Sequence, residues 1–185
     1  MAVDTKAFLE TLAQRRSCKD VGDKAPTDDE LNALLPAVVQ VANHGKLNCW
    51  RMHTIRGKDR HALGIAFNKA AGKKGKKPHK KALSAPLLIA IIASPKTKGG
   101  VPAWEQMATA TGAAFFMATA LWASGWGVVW RSGSWTSAKE VKRFHGLKKG
   151  EQLLGWLYVG NPKKKRKLYT NKVRKIQPDL ISPLP

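Results

Sequence analysis

The chain has 185 residues, 43% of them hydrophobic and 24% charged, the balance of an ordinary folded protein rather than a disordered one. Lys plus Arg number 33 against 12 Asp plus Glu, a formal net charge of +21, so the surface attracts polyanions such as nucleic acid, anionic membrane or a phosphate-bearing cofactor. Cys18 and Cys49 lie outside any C-x-x-C spacing and the five histidines have no metal-ligand spacing, which excludes a disulfide framework and a zinc box.

The length predicts one domain over residues 1–185, and the absence of a secretory leader from the start of the sequence points to a reducing cytosol. Phe8, Leu9 and Leu12 predict a weakly amphipathic helix from about Asp4 to Arg16, ending in Arg15-Arg16-Ser17. Thr27 with Glu30 predicts a capping box, opening a second helix through Leu31, Leu34, Leu35, Val38 and Val39 that Pro36 should kink or shorten. Asn43 to Lys46 reads as a loop, Trp50 to Ile55 as a strand, and Asp59 to Ala70 as a third helix. Gly72 to Lys81, rich in Lys and Gly, is an exposed loop.

Pro86 to Ala93 is a continuous apolar run, the pattern of a strand buried on both faces. A long helix follows from about Pro102 to Ser124, whose Ala and Thr density lets another backbone approach closely. Trp126 to Trp130 predicts a strand, Ser137 with Glu140 the cap of a short helix ending at Gly146, and Leu153 to Val159 a further strand. The order describes an α/β or α+β domain of three layers with one main sheet, the α+β form being the one that the resemblance described below implies, and a basic tail from about residue 160.

The uncharged stretch from Met107 to Trp130 has the length of a membrane span, with Trp104, Trp126 and Trp130 in the places of an aromatic belt. Its Ala, Thr, Gly and Ser content is too weakly hydrophobic for insertion, so a buried helix and no membrane attachment is the expectation.

Two clusters bear on chemistry. The donors of Arg15, Arg16 and Ser17 suit a phosphate and a polar chain, although a pair of arginines at a helix C-terminus is also what the helix dipole favours. Gly125-Trp126-Gly127 permits a tight turn, and Arg131-Ser132-Gly133 then offers donors at a strand end; the plainer reading is a core strand with a surface arginine.

Taken in order along nearly the whole chain, these pieces are more specific. Gln14-Arg15-Arg16-Ser17, Asn43-His44-Gly45-Lys46 before Trp50, Val101-Pro102-Ala103-Trp104-Glu105-Gln106, Gly125-Trp126-Gly127, Trp130-Arg131-Ser132-Gly133 and Leu154 to Pro162 together resemble the nitroreductase family. The resemblance is to its compact bacterial branch. It implies a mixed, mainly antiparallel sheet, a homodimer joined through the long helix, and FMN at the subunit interface with NAD(P)H as co-substrate. The implied reaction passes hydride from NAD(P)H to FMN and then reduces a nitro-aromatic or quinone-like small-molecule acceptor in a ping-pong cycle. It also implies that the cofactor carries the chemistry, with no catalytic side chain and no metal.

By the same resemblance Arg15, Arg16 and Ser17 hold the flavin phosphate, ribityl chain and ring edge. Gln40 and His44 reach the partner's flavin, Trp130, Arg131 and Ser132 line the ring, and Lys165 adds a phosphate contact. The chain departs from the pattern at Ala42 and Cys49, where the family usually carries prolines, and at Gln40, where the close branch commonly has arginine. A second reading keeps the scaffold but not the redox role. In it, Gly72 to Lys81 and the run Pro162 to Lys167 recruit the protein to polyanions such as nucleic acid, where the plainer alternative is a solvated surface.

Overall fold

A computed structural model describes residues 4–97 and 99–164. Its helices are α1 (Thr5–Gln14), α2 (Asp28–Val38), α3 (Gly57–Ala70), α4 (Ala103–Ala123) and α5 (Lys139–Phe144). Its strands are β1 (Trp50–Ile55), β2 (Leu87–Ala93), β3 (Gly127–Arg131) and β4 (Gln152–Gly160). The sheet runs β1-β2-β4-β3, and every pairing among the described strands is antiparallel.

The apolar run of β2 is explained by its place in the middle. Leu88, Ala90 and Ile92 pack on one side against Leu63 and Phe67 of α3 and Val141 of α5. Leu87, Ile89 and Ile91 pack on the other against Val38 of α2 and Ala113, Ala114, Met117 and Leu121 of α4. Alternate residues of one strand thus feed two cores, which makes the three layers. In β4 the alternation is reset by a bulge opposite Ile91 and Ile92, so that Leu153 and Trp156 reach the same core. Gly155 permits it: its φ is +125°, and a Cβ there would stand 2.4 Å from the Arg131 carbonyl oxygen.

Local chemistry sets most element ends. The Thr27 hydroxyl accepts from the Glu30 amide at 3.1 Å and the Glu30 carboxylate accepts from the Thr27 amide at 2.7 Å, closing the expected box. Pro36 sits in the last turn of α2, where the helix stops two residues later without a break. The expected cap of α5 differs. Ala138 precedes that helix with no side-chain cap, because the Ser137 hydroxyl donates to the Ser134 carbonyl and closes a preceding 3-10 turn instead. The end at Gly146 holds, with φ +57° and the Leu147 amide bonded back to the Lys142 carbonyl.

α4 is 21 residues long, and no helix among the described residues is long and apolar enough to cross a membrane. Its small residues do admit a close neighbour within this chain: a Cβ on Gly112 would stand 2.6 Å from Cγ2 of Val41.

Candidate functional site

The segment after α1 is stitched along the edge of the sheet. The Cys18 amide donates to the Val128 carbonyl at 2.8 Å, and Gly22 and Lys24 exchange backbone hydrogen bonds with Asn161. This fixes Arg15, Arg16 and Ser17 beside the start of β3. Both arginines are half-buried and Ser17 is exposed. The Arg15 guanidinium lies 5.5 Å from the centre of the Phe115 ring on α4. Arg16 donates to the Ala13 and Arg15 carbonyls at 2.7 and 2.8 Å, which fixes its guanidinium at the end of α1, where cations are favoured.

Trp130 lies on the same side of the sheet. It packs against the core shared with α2 and α4, and its indole N–H donates to the Leu154 carbonyl at 3.2 Å. Arg131, the next residue, necessarily points to the other side, where its guanidinium sits 4.9 Å from the Tyr158 ring centre. Burial pushes the Tyr158 hydroxyl up to about 12 against the opposing pull of Arg131. Ser132 is exposed beyond the strand end. The structure therefore places Arg15 and Trp130 on the α4 side of the sheet and Arg131 on the other, with Arg16 and Ser17 following Arg15 at the end of α1.

Gln40 and His44 lie elsewhere, on the chain between α2 and β1. Gln40 is exposed, and its amide donates to the Pro36 carbonyl at 3.3 Å. His44 is exposed too, its Nδ1 2.7 Å from the Glu105 carboxylate in the first turn of α4. Three residues in the first two turns of α4 grip this loop. Glu105 holds His44, the Gln106 carbonyl accepts from the Cys49 thiol at 3.6 Å, and the Thr109 hydroxyl donates to the Ala42 carbonyl at 2.9 Å. The loop needs such restraint, since Lys46 and Asn48 have φ of 51° and 46°, in the left-handed region that non-glycine residues seldom enter. Ala42 and Cys49, where the family pattern has prolines, are thus tied by hydrogen bonds rather than by ring closure. Lys165 lies outside the described residues. Glu105 had no role assigned from sequence; its partner is 61 residues away, and no local spacing announces the pair.

A second polar cluster lies at the start of β1, around Arg51 and His53. Glu151 accepts from Arg51 through both oxygens, at 3.0 and 2.7 Å, and from the Ser94 hydroxyl at 2.6 Å. Arg51 also contacts His53, while the Trp156 indole donates to Nε2 of His145 at 3.1 Å. The Arg51 bond holds the Glu151 carboxyl down at about 2, and burial, aided by His53 and Arg51, holds His145 at about 3. This cluster ties β1, the end of β2 and the start of β4 together.

Its pH signature follows from linkage. Both folded values are depressed, so the contributions are complete above the ordinary values of 6.5 for His145 and 4.5 for Glu151 and are lost as pH falls below them. The thermal midpoint should fall from pH 6.5 downward and more steeply below 4.5, and His145→Phe should flatten the upper part of that window. Melting curves across the range test this; a wild-type midpoint unchanged between pH 6.5 and 4.5 contradicts it.

An apolar groove of about 550 Å³ runs between α1 and α4, lined by Phe8, Leu12, Phe115, Phe116 and Ala120. Phe8 is 53% exposed and Phe115 50%, an apolar patch of the kind that marks an interface. No group of metal-ligating side chains occurs among the described residues.

Comparison with known proteins places this architecture. The nitroreductase family model matches residues 12–161. YdjA of Escherichia coli (strain K12), which carries the provisional name NAD(P)H nitroreductase, is 32% identical over 163 residues, covering 85% of this chain and 89% of that protein. A nitroreductase-like family protein from Bacillus cereus matches at a TM-score of 0.75 and 25% identity, over 89% of each chain. An FMN-dependent nitroreductase from Clostridium difficile R20291 shares the fold at a TM-score of 0.68 and 18% identity, over 94% of this chain and 99% of its own. The fold is the α+β nitroreductase-like one, and the chain belongs to the nitroreductase family.

Proposed function

We propose that the chain is an FMN-dependent NAD(P)H oxidoreductase acting on nitro-aromatic or quinone-like acceptors, as a homodimer of one FMN-binding domain per subunit. The observation that carries this reading is the half-buried arginine pair beside Ser17, with Arg15 over Phe115 of α4 and Trp130 against the α4 side of the sheet, in a chain of this family. The donor set fits an anionic, hydroxyl-rich cofactor: Arg15 and Arg16 meet the phosphate and ring edge, Ser17 the ribityl chain, and Trp130 walls the ring. Arg131, pointing to the other face, contributes through Tyr158 and its own backbone rather than by lining the ring with its side chain. When bound, FMN supplies the redox chemistry between NAD(P)H and the acceptor.

Two features support a site completed by a second copy. Arg15 sits over Phe115 and His44 is bound to Glu105, ten positions earlier on α4, which places the two groups about 15 Å apart along that helix. The apolar groove between α1 and α4 gives a second chain a surface to cover. His44, oriented by Glu105, and Gln40 then face the partner's cofactor. Cys18 and Cys49 are free thiols, as suits a reducing cytosol.

The test is the visible spectrum after incubation with FMN and desalting. A retained flavin band that bleaches with NAD(P)H under exclusion of oxygen is the expected outcome. A colourless protein after excess FMN removes the redox reading.

A further inference from the structure

From Arg60 to Trp104 the sequence contains no Asp or Glu, yet Lys69 and six lysines of residues 73–81 fall within it. The structure gathers this charge onto an ordered surface. The chain after α3 folds back on the helix: the Lys73 amide donates to the Asn68 carbonyl at 2.8 Å and the Asn68 side chain donates to the Lys77 carbonyl at 2.6 Å. The His79 amide donates to Gly64 at 3.0 Å, an approach that needs glycine because a Cβ on Gly64 would lie 2.7 Å from Pro78. Lys73, Lys74, Lys76, Lys77, Lys80 and Lys81 are left exposed on this backbone. The Lys81 ammonium lies 4.9 Å from the Trp135 ring centre. Burial and then the ammonium groups of Lys73, Lys81 and Lys80 push the His79 imidazole below its ordinary value, so several cations converge on one ring.

None of these lysines is ion-paired among the described residues; the carboxylates so engaged are Asp20, Asp28, Glu105 and Glu151, on other parts of the fold. The basic face continues onto α5, where Arg143 and Lys69 line a shared groove with Glu140. Such an uncompensated field costs the folded state through self-repulsion and is relieved by a polyanion. A membrane-adsorbing surface would pair these cations with insertable apolar side chains. The exposed large hydrophobics lie instead on α1 and α4 and on α2 and the residue after it, with none between Gly57 and Leu83. Exposed aromatic platforms for stacking single-stranded bases are missing here too, since Trp135 is half-buried, stacked on Phe67 and covered by Lys81.

We propose that the lysine-rich face formed by residues 69–81 and α5 docks double-stranded nucleic acid by its phosphates, without reading sequence. The face lies on the α3 and α5 side of the sheet, away from the groove between α1 and α4, so it stays open in a dimer built on α4. It does not depend on the flavin reading.

Fluorescence anisotropy of a labelled mixed-sequence DNA duplex, titrated with the full chain at several salt concentrations, tests it. The wild type should bind at low salt and weaken steeply as salt rises, log K falling with a slope of about −0.9 per phosphate contacted. The variant Lys73→Gln/Lys74→Gln/Lys76→Gln/Lys77→Gln should bind about tenfold or more weakly and lose about three units of that slope, with a melting temperature no lower than the wild type's. Lys76→Gln/Lys77→Gln serves if the larger set perturbs folding, with about half the effect on slope. The proposal is overturned if the wild type does not bind duplex, or if the variants bind as the wild type does. It fails equally if only Lys163→Gln/Lys164→Gln abolishes binding, or if phosphatidylserine vesicles retain the protein while duplex does not.

Discussion

Arg16→Ala is expected to yield a folded protein that loses FMN on desalting. Arg16 is half-buried at the end of α1, and its bonds to the Ala13 and Arg15 carbonyls hold the guanidinium in one orientation. A pre-oriented cation adds more to anion binding than a mobile one, because less side-chain freedom is lost when the ligand arrives. A hydrogen bond to a charged group contributes about 1.5–3 kcal/mol, so removing one weakens FMN by about ten- to a hundredfold. Arg16→Lys keeps the charge without the planar fork and should fall between the two. Flavin titration by fluorescence quenching reads the affinity, and circular dichroism confirms the fold. Wild-type affinity in Arg16→Ala would remove the first triplet from the site.

Phe67→Ala should produce the largest loss of stability. Phe67 is fully buried on α3, stacked on Trp135 at 4.4 Å and edge-on to Trp156 at 5.1 Å. Deleting such a ring costs about 3–5 kcal/mol in lost burial and residual cavity, a fall in melting temperature of about 6–20 °C for a chain of this length. Because Trp135 also carries Lys81, the same substitution should loosen the lysine-rich face, read as faster amide exchange in residues 72–81. A fall below about 3 °C would mean that Trp135 and Trp156 close over the gap.

Much of the fold is legible in the sequence. Thr27 and Glu30 announce α2, the run from Pro86 to Ala93 announces a strand covered on both faces, found at Leu87–Ala93, and Trp50 to Ile55 is bounded as it is found. These are short-range signals, a cap within one turn or a period within one element, and they survive folding because the tertiary structure agrees with them. Ser137 shows the limit. Its spacing to Glu140 is that of a cap, but a nearer carbonyl at Ser134 takes the hydroxyl.

The candidate site was legible as a set of residues and not as an arrangement. Trp130, Arg131 and Ser132 read as one unit in sequence, whereas strand alternation sends the first two to opposite faces of the sheet. Sequence by itself determined the composition of the molecule: its charge, its elements and their order, and the motifs that mark its family. Only the tertiary structure decided the partners. His44 with Glu105 spans 61 residues, and Arg51 with Glu151 spans 100. Such pairs are set by strand register and helix packing, which bring distant segments together at a closure cost that no local spacing encodes.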